Sequence, residues 1–142
     1  MIISTKGRYA LRVMMDLAVR GLEQPVRVKD ISARQDISQK YLEQIISVLS
    51  KAGYVSSVRG PKGGYILAGK PEDYLVGDIL RLAEGGLSCI SIHETESGQN
   101  AEESVTMRLW NEIDAAITKV VDTYTLQDLV SWKMEDVYDY MI

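Results

Sequence analysis

The chain has 142 residues, 46% of them apolar and 25% charged, with a formal net charge of −4 and a single cysteine. This profile fits one domain, or a small domain with an accessory element, and it excludes an intrachain disulfide framework. No apolar run reaches the length needed to span a bilayer, and the opening MIISTKGRYA lacks a signal-peptide pattern, so a cytoplasmic protein with no membrane partner is expected. The bulk charge conceals a polarity: residues 1–70 carry 12 Lys+Arg against 5 Asp+Glu, and residues 71–142 carry 4 against 15. The basic half attracts polyanions and the acidic half is repelled by them.

From Lys6 to Gly21, the apolar residues Ala10, Val13, Met14, Leu17 and Ala18 fall on one helical stripe, with Ser4 or Thr5 as cap. A short second helix, Lys29 to Arg34, contributes Ile31 and closes in the turn Gln35-Asp36-Ile37. Ser38 then caps a third helix that repeats the buried spacing with Leu42, Ile45, Ile46 and Leu49, and Gly53 provides a left-handed stop. The opposite face of that helix is polar: Gln39, Lys40, Glu43, Gln44, Ser47 and Lys51. This is the pattern of a helix-turn-helix. Two β-prone runs, Tyr54 to Val58 and Tyr65 to Leu67, flank the Gly/Pro turn at 59–64 and predict a hairpin wing.

Past Pro71 the spacing of Val76, Ile79, Leu80 and Ala83 predicts a fourth helix stopped by Gly85-Gly86. Residues 87–103 lack sustained periodicity and predict a loop. A long helix is expected from about Ser104 to Asp122, with Leu109, Ile113, Ala116, Ile117, Val120 and Val121 as a stripe and Trp110 at its edge. Thr125 and Asp128 form a capping box for a last helix at 126–133. The expected fold is mainly α: a winged helix-turn-helix domain over 1–85, a loop over 86–103, and a dimerisation helix with a C-terminal helix and tail over 104–142.

A helix N-terminus entering the major groove presents its first side chains to base edges and its backbone N–H groups to phosphate. Ser38, Tyr41 and Gln44 can donate to phosphate, with Gln39 and Lys40 beside them. Glu43 would repel phosphate, so its use in a basic surface is to accept from a cytosine amino group. Arg59 heads the wing, and the glycines at 60, 63 and 64 let backbone approach backbone. Lys6, Arg8, Lys40 and Lys62 supply salt-dependent affinity. Taken singly, each feature has a plainer account. Ser38 caps its helix with or without DNA, Glu43 can pair with Lys40 on a solvated face, and the glycines suit any hairpin. The turn lacks the GxxxxGK[ST] pattern of a nucleotide-binding loop. Coincidence of helix, wing and charge favours DNA.

The segments STKGRYAL, ISQKYLEQIISVL, AGYVSSVRGPKGGYIL and GDILRLAEG, with RLW near Trp110 and TLQDL near Leu126, closely resemble the IscR/CymR-type repressors. These are the Rrf-two family of bacterial winged-helix regulators. The resemblance runs through most of the chain. It implies a homodimer joined along the long helix and DNA-contacting roles for Ser38, Tyr41, Glu43, Gln44 and Arg59. Dimerisation is also expected independently, because so wide a stripe has little to bury against in a short chain; packing within one monomer is the alternative.

Many relatives hold an iron–sulfur cluster on three cysteines in the loop before the long helix. Here that loop offers only Cys89 and His93, and thiolate ligation needs several such ligands. No cofactor and no metal is therefore expected. Cys89 is either a small buried apolar residue or a redox-sensitive thiol, and His93 is solvated. The missing ligands point to the cluster-free branch, repressors of cysteine metabolism. In that branch cysteine synthase is the controlling partner, which makes Tyr140, Met141 and Ile142 its candidate contact; a frayed terminus is the plainer account. The alternatives are a cluster- or thiol-sensing regulator of the same family, or an adaptor that binds no DNA, which leaves the basic wing unexplained. No catalytic residue set supports an enzyme.

Overall fold

The computed structural model describes residues 2–21, 23–90 and 101–141, with residues 140 and 141 described by backbone alone. Helix α1 (Thr5–Arg20) starts at Ser4, whose Oγ accepts from the Gly7 N–H at 3.3 Å. Its stripe Ala10, Val13, Met14, Leu17 and Ala18 is buried. Helix α2 (Val28–Gln35) buries Ile31 and ends at Asp36 in the left-handed conformation, φ 55°, which a short polar side chain tolerates. Ser32 closes this turn: its Oγ donates to the Ile37 carbonyl at 2.6 Å, and its own carbonyl accepts from the Ile37 N–H at 3.3 Å.

Helix α3 (Gln39–Lys51) is capped by Ser38, whose Oγ accepts from the Tyr41 N–H at 3.2 Å. Leu42, Ile45, Ile46 and Leu49 are buried, and Gly53 at φ 79° turns the chain out of the helix. Strands β1 (Val55–Val58) and β2 (Gly64–Leu67) pair antiparallel, with Val55 opposite Leu67 and Val58 opposite Gly64. Val26 adds a further bridge to the hairpin, donating to and accepting from Tyr65 at 2.9 and 2.8 Å.

After a 3-10 turn (Pro71–Asp73), helix α4 (Val76–Glu84) buries Val76, Ile79 and Leu80. Helices α5 (Ala101–Val121) and α6 (Leu126–Met141) complete the chain. The corner between them is laced to the start of α4: Val76 N–H donates to Tyr124 O at 2.9 Å and Leu126 N–H to Tyr74 O at 2.8 Å. One core runs through α1, α2, α3, the foot of the wing and α4, and Leu126 is fully buried within it. The architecture is a winged helix-turn-helix extended by α4 to α6.

Two boundaries differ from expectation by more than one residue. Helix α5 begins at Ala101 rather than Ser104, so 101–103 belong to the helix; Ala is a strong helix former, and Glu102 and Glu103 complement the positive helix start. Helix α6 continues to Met141 rather than stopping at Lys133. The sequence-based boundary followed the buried stripe, and residues 131–139 are exposed. His93 and Ile142 lie outside the described residues.

Candidate nucleic-acid interface

Burial of the apolar side of α3 leaves Ser38, Gln39, Lys40, Glu43 and Gln44 exposed and Tyr41 half-buried. Ser38 uses an oxygen lone pair as cap, so its O–H remains available to donate outward. Glu43 forms no ion pair with Lys40 among the described residues. Its carboxylate therefore stands on the exposed face as an acceptor.

The turn before α3 is fixed by a polar anchor not anticipated from the sequence. Asp16, 3% exposed on α1, accepts from Arg34 Nη2 at 2.7 Å, Arg34 Nε at 3.0 Å and Gln35 Nε2 at 3.0 Å. Burial pushes this carboxyl up, but the bonds from Arg34 and Gln35 outweigh it and hold its pKa below the ordinary value. Arg12 Nε also donates to Gln35 Oε1 at 3.0 Å, and Arg12 lies 5.2 Å over the Tyr9 ring. Tyr9 in turn meets Tyr41 edge-on at 5.8 Å, so α1 braces the first turn of α3 directly. The available signal was an aspartate inside an apolar stripe, beside Val13, Met14 and Leu17.

In the wing, Arg59, Gly60, Pro61 and Lys62 are exposed. Arg27, just before α2, donates to the Pro61 carbonyl and ties the wing turn to the helix-turn-helix. Gly64 at φ 156° is required by close approach: a Cβ there would lie 2.5 Å from the Val26 carbonyl oxygen. Arg8 is exposed at the start of α1 and donates to Thr5 Oγ1 at 3.1 Å. Half-buried Lys6 lines a small apolar crevice with Ile45, Val48 and Leu49 of α3, which places the start of α1 beside the later turns of that helix.

The expected α5 stripe divides into two faces. Trp110, Ile117 and Val121 are half-buried; the Trp110 carbonyl accepts from the Cys89 thiol at 3.6 Å, and Val121 crowds Gly77 of α4. Leu109, Ile113, Ala116 and Val120 are exposed, with Val105 beside them. No residue of α5 is buried. Its C-terminal end is held by Arg81, which grips Asp122 with two bonds of 2.9 and 2.8 Å.

Cys89 and Ser88 dock on the same helix: the Cys89 N–H and Ser88 Oγ donate to Asp114 at 2.8 and 3.0 Å. Partial burial and the Asp114 carboxylate push the Cys89 thiol up, the opposite of what thiolate ligation requires. Among the described residues no three His, Cys, Asp or Glu side chains are grouped to hold a metal. No described helix is long and apolar enough to cross a membrane.

A core-anchored helix-turn-helix with a polar exposed face and a glycine-rich basic wing defines the class: DNA-binding transcription regulators. The Rrf2 family model, described as an iron-dependent transcriptional regulator, matches residues 3–131, and the chain belongs to that family, whose members are regulators rather than enzymes. It is 40% identical to the HTH-type transcriptional regulator CymR of Bacillus subtilis, over 98% of this chain and 96% of that one. The solved structure of CymR from B. subtilis superposes with a TM-score of 0.79 over 93% of this chain and 98% of that chain. The structure of T. potens IscR gives 0.80 at 43% identity, over 96% of this chain and 90% of that one. The iron in the family description does not fit the residues present here, because the chain has a single cysteine, whose thiol donates to the Trp110 carbonyl and is pushed up in pKa by partial burial and Asp114.

Proposed function

We propose that the protein is a homodimeric, cytoplasmic repressor that reads a pseudo-palindromic operator. Ser38, Gln39, Lys40, Tyr41, Glu43 and Gln44 enter the major groove, and Glu43 accepts from a cytosine amino group. Arg59, Gly60, Lys62 and Gly64 bring the wing to the backbone or minor groove, and Lys6 and Arg8 hold phosphates. Two copies join along α5, through Leu109, Ile113, Ala116 and Val120 outward and Trp110, Ile117 and Val121 beside them. The observation that carries this reading is the exposed α3 face, braced by Tyr9 against Tyr41 and preceded by an α2 end that Asp16 and Arg12 hold. Selection from a random duplex pool should return two-fold symmetric half-sites spaced by about 34–36 Å or a multiple. A monomer that ignores duplex DNA in dilute buffer overturns it.

The physiological branch rests on chemistry rather than on similarity, because identity to CymR and IscR is nearly equal at 40% and 43%. A single cysteine, too few for thiolate ligation of a cluster, favours the cluster-free branch. Since CymR is the global cysteine regulator of B. subtilis, cysteine-metabolism genes are the proposed targets. Cysteine synthase is the proposed controlling partner, engaging Tyr140, Met141 and Ile142. Removing 141–142 should abolish binding to cysteine synthase in calorimetry, and unchanged affinity discards the tail contact. An iron-free, colourless anaerobic preparation is expected; visible absorbance with bound iron would restore the cluster reading.

A further inference from the structure

The first turn of α1 carries Lys6 and Arg8 and has no acidic residue of its own. A helix start exposes unpaired N–H groups and favours an anion, yet a carboxylate on this turn would stand among the cations meant for phosphate. The structure supplies the anion from elsewhere. Glu84, the last residue of α4, lies 80 residues away in sequence, and its Oε1 accepts from the Ser4 N–H at 2.8 Å and from the Ser4 hydroxyl at 2.7 Å. Ser4 Oγ in turn accepts from the Gly7 N–H at 3.3 Å. The carboxylate sits where a side chain at position 7 would be: a Cβ on Gly7 would lie 2.2 Å from Oε1. Helix α4 is also gripped at the end of α5, through Arg81 and Asp122. It thus links the proposed dimer helix to the beginning of α1.

We propose that Glu84 is a positioning residue for DNA binding: by bonding Ser4 it orders the first turn of α1 and sets Lys6 and Arg8 against the phosphate backbone. The inference rests on the phosphate role proposed above for Lys6 and Arg8. Glu84→Ala releases both Ser4 bonds, whereas Glu84→Gln keeps an acceptor oxygen at the same reach and should rescue the position. Each substitution leaves the buried core intact, since Glu84 is half-exposed.

Two measurements on the full-length protein separate the clamp from the DNA role. Hydrogen exchange at the Ser4, Gly7 and Arg8 amides of the free protein should accelerate about tenfold in Glu84→Ala, the effect of losing one modest hydrogen bond of about 1.4 kcal/mol, and stay near wild type in Glu84→Gln. Unchanged exchange in Glu84→Ala overturns the proposal. Fluorescence anisotropy with a labelled mixed-sequence duplex, titrated against salt, should show the slope of log affinity falling by about 0.9 for each phosphate that Glu84→Ala no longer engages. Adding Lys6→Ala to that variant should cost little more. A wild-type slope in Glu84→Ala, with a reduced slope in Lys6→Ala, also overturns the proposal. A wild-type slope in Lys6→Ala and Arg8→Ala instead refutes the phosphate reading of α1, and with it the DNA role assigned to Glu84, while the exchange result stands by itself.

Discussion

The helix-turn-helix region and the two C-terminal helices obey opposite rules of burial. In the first, α3 sends Leu42, Ile45, Ile46 and Leu49 into a closed core. The polar side chains behind it are satisfied by partners, and no buried side-chain polar atom among the described residues lacks one. In the second, no residue of α5 is fully buried, with Leu109 50% and Val120 57% exposed, and α6 beyond Leu126 leaves Trp132, Met134, Val137 and Tyr138 in solvent. One region is a finished solid whose exposed face is polar. The other displays apolar surface that a soluble chain does not leave uncovered without use. On the reading proposed above, the polar face meets a polyanion and the apolar one meets a second copy of the chain.

The largest effect should come from charging the uncovered face. Leu109→Arg with Val120→Arg should weaken dimerisation by about a hundredfold or more, a loss of roughly 3 kcal/mol at two anchors that the proposed dimer covers. Sedimentation would read it, with helical content unchanged by circular dichroism. If the double variant stays dimeric, the comparison fails on its C-terminal side.

Next in size is the anchor behind α3. Arg34→Ala leaves the Asp16 carboxylate buried with only Gln35 and should cost about 2–3 kcal/mol in urea unfolding, below the range for fully buried pairs because Arg34 is 30% exposed. Since Asp16 is held below its ordinary pKa, its contribution is fully present above about pH 4 and is lost as pH falls through the depressed value. The variant should therefore show a flatter stability profile on that acid limb. An equally steep decline would show that Asp16 does not carry it.

Smaller effects probe the exposed face. Glu43→Ala should reduce discrimination between operator and random duplex by about tenfold, within the range for one base contact, and leave random-duplex affinity unchanged or slightly raised. Equal losses on both would remove Glu43 from base reading. Lys6→Ala should weaken both duplexes alike, lowering the salt slope by about 0.9. The smallest expected effect is at Cys89. With its thiol pushed up in pKa by partial burial and Asp114, peroxide should leave DNA affinity unchanged in both wild type and Cys89→Ser, and an oxidation-dependent change confined to wild type would establish a thiol sensor.

Much of this was legible along the chain, since helical spacing is a local property. The stripes of α1 and α3, the Ser38 cap, the Gly53 stop and the hairpin between them stand in the sequence as they stand in the fold. The exposed half of α6 escaped because an element without a buried face shows no stripe to follow. The seam on α5 was legible as apolar, but its division was not. Trp110, Ile117 and Val121 are half-buried, with Val121 beside Gly77 of α4 and the Trp110 carbonyl bonded by Cys89, and this depends on where those segments return.

Sequence by itself determined the elements, the separation of charge and the residues available to meet DNA. These follow from side-chain period, capping chemistry and composition, which act over a few residues. Tertiary structure alone decided that Asp16 locks the turn before α3, that Glu84 reaches Ser4 at the start of α1, and that Arg81 ties α4 to Asp122. Each such bond joins groups 18 to 80 residues apart, and a carboxylate reveals its partner only when folding removes water and brings the donor within reach.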